Sequence, residues 1–151
     1  MVVQHGVEFS LCLIVDKRMF GIAAKMRAVA QSATSVLAGS LYGWGEAGNG
    51  RLGDNTVVNK SSPVQIGTLT NWSSVSAGLL FTHAIKSDST LWAWGFNTAR
   101  LGDNTTVAKS SPVQIGTLTD WSSVSAGTQH SLAIKTNGTM WAWGYGAYGV
   151  V

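Results

Sequence analysis

The sequence LGDNTVVNKSSPVQIGTLTNWSSVSAG at residues 52–78 decides the fold, because almost the same sequence returns forty-nine residues later. Residues 101–127 read LGDNTTVAKSSPVQIGTLTDWSSVSAG, and only three of the 27 aligned positions differ. The differing pairs are Val57/Thr106, Asn59/Ala108 and Asn71/Asp120. A repeat of this length indicates one supersecondary unit that covers its hydrophobic faces with neighbouring copies of itself.

The repeat extends on both sides of this stretch. The motif WAWG begins at Trp92 and at Trp141, again forty-nine residues apart, and the related motif YGWG begins at Tyr42. Tyr42 and Trp92 are fifty residues apart, because the loop after the later motif is one residue shorter than the loop after the earlier one. We therefore expect conserved strands that are joined by loops of variable length.

The composition favours an all-β protein of one ordinary domain. The chain has 151 residues, of which 45% are apolar and only 11% are charged, and 18 are glycine. Exposed helices usually carry many Lys and Glu residues, whereas Ser, Thr, Asn and Gly suit short strands and tight turns. The formal charge of +3 is too small and too dispersed to predict a nucleic-acid surface.

The pattern inside each unit predicts four short antiparallel strands. HSLAIK at residues 130–135 alternates with period two, which predicts that His130 and Leu132 lie on one face and Ser131 on the other. TNGT predicts a type I′ turn into the strand TMWAWG. PVQI reads as a short edge strand that begins at proline, and WSSVSAG reads as the fourth strand. Four such strands in about fifty residues are typical of a propeller blade.

The N-terminal part reads as degenerate repeat material. Residues 6–23 align with residues 127–144, and residues 29–45 align with the strands of a further copy. We therefore predict degenerate repeat material or a cap over residues 1–43, followed over residues 44–151 by two tandem repeats of period 49, the last of them truncated. Four of the ten basic residues lie in the first part, namely Lys17, Arg18, Lys25 and Arg27.

Two stretches resemble the repeats of the regulator-of-chromosome-condensation family. They are WSSVSAGTQHSLAIKTNGTMWAWGYGAYG and RLGDNTTVAKSSPVQI. The resemblance implies β-propeller blades, of which the family typically has seven around a central channel. We expect an incomplete propeller of about three blades, the first degenerate, and the regular GDNT and SSPVQI motifs look more like bacterial or bacteriophage members.

The sequence departs from the family pattern at three places that matter below. Arg51 and Arg100 stand where the family usually has glutamine, and Phe81 stands where His130 matches the family histidine. Guanine-nucleotide exchange is known for one branch of the family, but it is associated with a closed ring, and this chain is short for one. We therefore do not assign that activity.

The recurring aromatic residues predict a structural core rather than a ligand site. Blades must bury their faces against each other, and each tryptophan ring offers about 150–250 Å² for that purpose. A histidine at a fixed strand position, without an orienting partner or nucleophile in view, is assigned to packing as well. The predicted core residues are Trp72, Trp92, Trp94, Trp121, Trp141, Trp143 and His130.

No residue pattern in the sequence supports catalysis, a metal or a cofactor. GDNT lacks the further carboxylates of a calcium loop and is assigned to a tight turn. GEAGNG is followed by neither a Gly-Lys-Ser/Thr motif nor an amphipathic helix, and the serines lack a nucleophile motif. The single cysteine, Cys12, excludes an intrachain disulfide. We expect no enzyme activity and no cofactor.

The function predicted from these observations is a non-enzymatic interaction or scaffold module. The loops at residues 46–51 and 96–100 vary where the surrounding repeat does not, and loops carry the binding residues of such folds. We expect the two arginines to offer donors to a carboxylate or phosphate. The candidate partner-binding residues are Glu46, Asn49, Arg51, Phe96, Asn97 and Arg100.

Two alternatives remain open at this point. The chain is a structural assembly protein, such as a virion or surface component, that completes its fold by oligomerisation, or it is a truncated fragment of a longer repeat protein. We expect a protein partner or further copies of the chain, with no membrane and no nucleic acid. The N-terminus shows neither a signal peptide nor a membrane span, which favours a cytoplasmic or virion-associated protein.

Overall fold

The computed structural model describes residues 11–15 and 38–146 of the chain. Within these residues the secondary structure is all β, apart from one short 3₁₀ turn at Gly48–Gly50. The predicted repeat material at residues 6–10 and 16–37, with its four basic residues, lies outside the described residues. Residues 147–151 lie outside them as well.

The described residues form three antiparallel sheets in chain order. The first sheet has the strand order β1-β2-β3, the second β4-β5-β6-β7 and the third β10-β9-β8. The strands are β1 (Leu11–Val15), β2 (Ser40–Gly45), β3 (Lys60–Gln65), β4 (Trp72–Ala77), β5 (Phe81–Lys86), β6 (Leu91–Gly95), β7 (Lys109–Gln114), β8 (Trp121–Ala126), β9 (His130–Lys135) and β10 (Met140–Gly144). This arrangement confirms the all-β class and the antiparallel blades, and β3 and β7 are edge strands as predicted.

The hairpin turns differ from the predicted type. A type I′ turn needs positive φ at both central residues, but Gly138 has φ 83° and Asn137 is not in the positive region. Instead, Gly138 N–H donates to the Lys135 carbonyl, and Asn137 Oδ1 accepts from Thr139 N–H at 3.0 Å. The side-chain bond of Asn137 thus selects a turn in which only the residue after it is left-handed.

We call the face of a sheet that lies toward the preceding sheet in the chain its back face, and we call the opposite face its front face. The back face of the second sheet packs Trp72, Trp94 and Ala84 against Leu41 and Ile66 of the first repeat. Burial of the apolar side chains that meet at this contact stabilises the packing of the two sheets. The front face of the second sheet packs against the third sheet through a core that contains Phe81, Ile85, Leu91, Ala93, Trp121 and Ala133.

The same aromatic cluster occurs on two back faces. Trp72 packs edge-on against Trp92 and Trp94, with ring centroids 6.0 and 6.1 Å apart. In the third sheet, the rings of Trp141 and Trp143 lie 6.2 and 6.3 Å from that of Trp121. These edge-to-face distances lie in the favourable range for aromatic pairs.

The loop of each repeat reaches the back face of the next sheet. Gly53 has φ +81°, and a Cβ there would lie 2.6 Å from Nε1 of Trp94. Gly102 has φ +79° and is packed in the same way against Trp143. Only glycine combines this backbone conformation with so close an approach, which explains why LGDNT is repeated with its glycine.

The front face of the third sheet is open in the described residues. Ile134 is 37% exposed, whereas its repeat counterpart Ile85 is 3% exposed. Among the predicted core residues, Trp141 is 49% exposed, and Trp92, Trp143 and His130 are half-buried. Trp92, the counterpart of Trp141, is paired with Gln114 of β7, and the described residues contain no equivalent strand beside β10.

Candidate partner-binding loops

The first candidate loop, residues 46–51, is held by its own arginine. Nη1 of Arg51 lies 2.8 Å from Oε2 of Glu46, and Nε of Arg51 donates to the Gly48 carbonyl at 3.0 Å. Arg51 is only 6% exposed, so its guanidinium is an internal brace of the loop. Asn49 is exposed and has φ 59°, which places it at the tip of the 3₁₀ turn.

The first loop lies against the outer strand of the second sheet. A Cβ at Gly50 would be 2.4 Å from Cα of Ser110, and the Asn55 N–H donates to the Ser110 carbonyl at 2.8 Å. The loop is therefore fixed by main-chain contacts to the next repeat. It is a positioned structure rather than a free tether.

The second candidate loop, residues 96–100, has the same arginine in different surroundings. Phe96 stands at the repeat position of Glu46, and its ring centroid lies 4.9 Å from Cζ of Arg100. Arg100 is 8% exposed, and its Nε and Nη1 have no hydrogen-bond partner in the described chain. Burial lowers the pKa of Arg100.

A buried asparagine ties the second loop together. Nδ2 of Asn97 donates to Oδ1 of Asp103 at 2.9 Å, to Oγ1 of Thr105 at 3.1 Å and to the Val107 carbonyl at 3.3 Å. Its Oδ1 accepts from the Leu101 N–H at 3.3 Å, and the side chain is 1% exposed. Asn97 is thus the centre of a satisfied polar network.

The first loop has an equivalent tie from the opposite side. The Ala47 N–H donates to Oδ1 of Asn59 at 3.0 Å. Ala47 stands at the repeat position of Asn97, and Asn59 stands at that of Ala108. Each repeat therefore holds its loop with one asparagine, which lies within the loop in the second repeat and after the loop in the first.

The GDNT motifs form side-chain-stabilised turns. Oδ1 of Asp54 accepts from Thr56 N–H at 3.0 Å, and Oδ2 lies 3.2 Å from Nζ of Lys60. Burial raises the pKa of Asp54, but the hydrogen bonds from Thr56 and Lys60 outweigh burial and hold the pKa below its usual value. Asp103 is held in the same way by Thr105. In the part of the chain that is described, no three His, Cys, Asp or Glu residues are grouped as metal ligands would be.

A groove of about 600 Å³ lies beside β10. It is lined by Ala99, Gly102, Asn104, Thr105, Thr106, Trp143 and Gly144. One repeat earlier, the corresponding position holds the start of β7, where Gly95 pairs with Lys109 and Asn55 bonds to Ser110.

The structure divides the six candidate residues between surface and interior. Asn49 is exposed, and Glu46 and Phe96 are half-buried. Arg51, Asn97 and Arg100 are buried, which the sequence analysis did not foresee. The Glu46–Arg51 spacing within one loop is a signal that could have indicated an internal ion pair. That any of the six binds a partner stays a prediction.

His83 is a buried packing residue. Its Nε2 donates to the Leu101 carbonyl at 3.2 Å, and its ring packs edge-on against Trp143 at 5.4 Å. Burial lowers the pKa of His83 from 6.5 to about 4.

The described part of the chain also contains no helix that could cross a membrane.

The antiparallel sheets stack in chain order, and a loop of each repeat packs against the back face of the next sheet. This arrangement defines consecutive blades of a β-propeller. A family model described as the regulator of chromosome condensation (RCC1) repeat matches residues 38–85 and 88–134. A second model of the same description matches residues 121–150. The chain belongs to the RCC1 repeat family.

This chain spans less than a third of the length of each similar protein named below. A curated relative, the RCC1 domain-containing protein RUG3 of Arabidopsis thaliana mitochondria, is 40% identical over 86 residues. The match covers 49% of this chain and 19% of the relative.

Solved structures share the fold at lower identity. One is a crystal structure of Kap60 bound to yeast RCC1 (Prp20), with TM-score 0.62 and 24% identity over 74% of this chain and 30% of that one. Human WBSCR16 gives TM-score 0.63 and 17% identity, with the same coverage. Prp20p from Saccharomyces cerevisiae, described with its binding to Gsp1p and histones, gives 0.60 and 22% over 72% and 28%.

Proposed function

We propose that the chain is a non-enzymatic protein-interaction module that recognises its partner through the loops between propeller strands. The observation that carries this proposal is the location of the differences between the repeats. Strands β4 and β8 are identical in sequence, and so are β3 and β7, while β5 and β9 share three of six residues. The two candidate loops differ in length and in most side chains. Binding specificity on a repeated scaffold is carried by such loops.

The nature of the relatives supports a protein as the partner. The similar yeast proteins are bound to Kap60 in one structure and bind Gsp1p and histones in the other description, and all of these partners are proteins. Gsp1p and histones are therefore suitable first partners to test. Residues 1–43 as a repeat-derived cap and residues 44–151 as the tandem repeats remain our proposed division of the chain.

A loop-exchange variant tests this function. Residues 96–100, FNTAR, are replaced by EAGNGR from residues 46–51, which folds between the equivalent strands β2 and β3, and Ala108→Asn supplies the counterpart of Asn59 that holds this loop in the first repeat. The binding of the variant to immobilised Gsp1p, to histones and to proteins captured from the source cells is compared with that of the original chain. We expect the exchange to weaken capture of the partner at least about tenfold, or about 1.4 kcal/mol.

The matched control is Val57→Thr, which introduces the residue that the second repeat carries at Thr106. This control should bind as the original chain does. A loop-exchange variant that folds and still captures the same proteins with unchanged affinity would contradict recognition through the second loop.

A second candidate function is assembly through the open front face of the third sheet. Leu132 is 38% exposed, Ile134 37% and Met140 67%, and they continue the positions that are buried on the second sheet. Exposed apolar faces and open strand edges favour association with further copies. A virion or surface component, and one part of a longer repeat protein, are both compatible with this feature.

Light scattering on a sizing column tests the assembly. We expect an oligomer that Ile134→Lys converts to monomer, whereas Val57→Lys leaves it intact, because Val57 is an exposed loop residue. A folded monomer at all concentrations would exclude assembly through this face.

A further inference from the structure

The two repeats contain the same arginine with and without its acceptors. In the first loop, Nη1 of Arg51 contacts the carboxylate of Glu46 at 2.8 Å, and Nε donates to the Gly48 carbonyl at 3.0 Å. Both acceptors come from one short segment, two residues apart. The arginine of this loop is therefore satisfied within the chain.

Arg100 has lost both of these acceptors. Phe96 replaces Glu46 at the matching position, and the loop is one residue shorter where Gly48 would supply its carbonyl. Arg100 is nevertheless 8% exposed, and the same two nitrogens, Nε and Nη1, are buried with no hydrogen-bond partner among the residues described. Buried hydrogen-bond donors of a cation that lack acceptors are unfavourable.

The ring of Phe96 compensates for this loss only in part. Its contact with Cζ of Arg100 at 4.9 Å is a cation–π interaction, which attracts the charge but accepts no hydrogen bond. The ring is half-buried, so it can turn toward solvent more easily than a core residue. Movement of this ring would open the guanidinium to a ligand.

We propose that Arg100 binds an acidic residue of a partner polypeptide, whose carboxylate accepts from Nη1 and whose nearby main-chain carbonyl accepts from Nε. The ligand thereby takes the places that Glu46 and Gly48 occupy beside Arg51. This inference rests on the proposed interaction function and names the chemistry of the partner. The acceptor pair is one carboxylate and one neutral carbonyl, which a polypeptide provides and an inorganic phosphate does not.

The chain itself supplies the probe. Acetyl-Glu-Ala-Gly-amide copies residues 46–48, and acetyl-Gln-Ala-Gly-amide is its uncharged control. The peptides are titrated at constant ionic strength while the Nε–Hε signals of the arginines are followed by ¹H–¹⁵N NMR. We assign the Arg100 signal from its loss in Arg100→Lys.

We expect a saturable shift of the Arg100 signal with the Glu peptide and at least about tenfold weaker binding of the Gln peptide. The Arg51 signal should not move, because its acceptors are already in place. It also reports that the protein remains folded. Inorganic phosphate should bind more weakly than the Glu peptide.

The variant Phe96→Glu provides the second arm. It restores a carboxylate at the position of Glu46, so binding of the Glu peptide should fall at least about tenfold while the fold is retained. The inference is overturned if Phe96→Glu binds the peptide as the original chain does, or if Glu and Gln peptides bind equally. Phosphate binding more tightly than the Glu peptide, or an unmoved Arg100 signal in a folded chain, overturns it as well.

The two proposals fail in distinguishable ways. Capture of a partner that depends on the second loop but is equally strong in Arg100→Lys would overturn the role of Arg100 and leave the interaction function standing. A specific Glu-peptide response in a chain that captures no protein would support the arginine site and count against the interaction function.

Discussion

At the scale of single residues, two asparagines at different repeat positions each stabilise the candidate loop of their own repeat through hydrogen bonds. Asn59 bonds to the backbone of Ala47, and Asn97 bonds across the second loop to the Val107 carbonyl. Each repeat has alanine where the other has asparagine. The difference between Asn59 and Ala108 in the otherwise repeated sequence is therefore compensated rather than neutral.

These asparagine hydrogen bonds predict that Asn97→Ala and Asn59→Ala lower the free energy of unfolding by different amounts. Asn97→Ala leaves the buried Leu101 N–H without its partner, also removes the bonds to Asp103, Thr105 and Val107, and should lower the free energy of unfolding by about 1–3 kcal/mol. Asn59→Ala removes a single bond, from the N–H of buried Ala47, and should cost less, about 1 kcal/mol. Urea denaturation measures both. Ala108→Asn should recover part of the loss in the Asn97→Ala background, and equal stability with and without it would contradict the compensation.

His83 predicts a pH dependence of stability. Its pKa is about 4 in the folded chain and 6.5 ordinarily, so the unfolded chain binds the proton more readily. Stability is therefore full above about pH 6.5 and falls by about 3 kcal/mol as the pH is lowered to about 4. The aspartates with lowered pKa, such as Asp54, lose their contribution at lower pH.

The variant that isolates this effect is His83→Leu, because Leu132 is the natural residue at that position in the next repeat. Urea denaturation between pH 7 and pH 4 should show a flatter profile for the variant. Parallel profiles of the two proteins would contradict the assignment to His83.

At the scale of the elements, the contact between a loop glycine and the next tryptophan predicts a large effect of one methyl group. Gly53→Ala places Cβ against Trp94, whereas Gly67→Ala meets nothing within 4 Å, and both glycines have positive φ. Gly67→Ala should cost about 1–2 kcal/mol from its backbone alone. Gly53→Ala should cost about 1–3 kcal/mol more through overpacking, measured by urea denaturation. Equal losses would mean that the loop yields.

The strands could be predicted from the sequence because their information is local. Alternation in HSLAIK separates buried Ser131 from exposed Leu132, and the proline in SSPVQI marks an edge strand. The turn type was not predicted correctly, since the Asn137 side chain decides it. The burial of Arg51, Asn97 and Arg100 could not be read from the sequence either, because it depends on which atoms the loop folds onto.

At the scale of the whole molecule, each sheet is stabilised by the one that follows it. Ile85 lies between the second and third sheets, whereas Ile134 occupies the same repeat position on the open face. Ile85→Ala should lower the free energy of unfolding by about 2–5 kcal/mol, the usual cost of deleting a buried aliphatic side chain. Ile134→Ala should cost less than about 1.5 kcal/mol in a monomer, and urea denaturation compares them. Equal costs would indicate that the open face is covered in solution.

The alternating asparagine tie also bears on how the gene can change. The identical segments RLGDNT and KSSPVQIGTLT are sites where unequal crossing-over between the repeats would delete forty-nine residues. A crossover in RLGDNT joins Ala47 to Ala108 and produces a loop with neither asparagine, whereas a crossover in KSSPVQIGTLT keeps Ala47 with Asn59. Only the second kind of recombinant keeps a loop that an asparagine closes. The position of the crossover in the gene therefore decides whether the shortened protein keeps this loop closed.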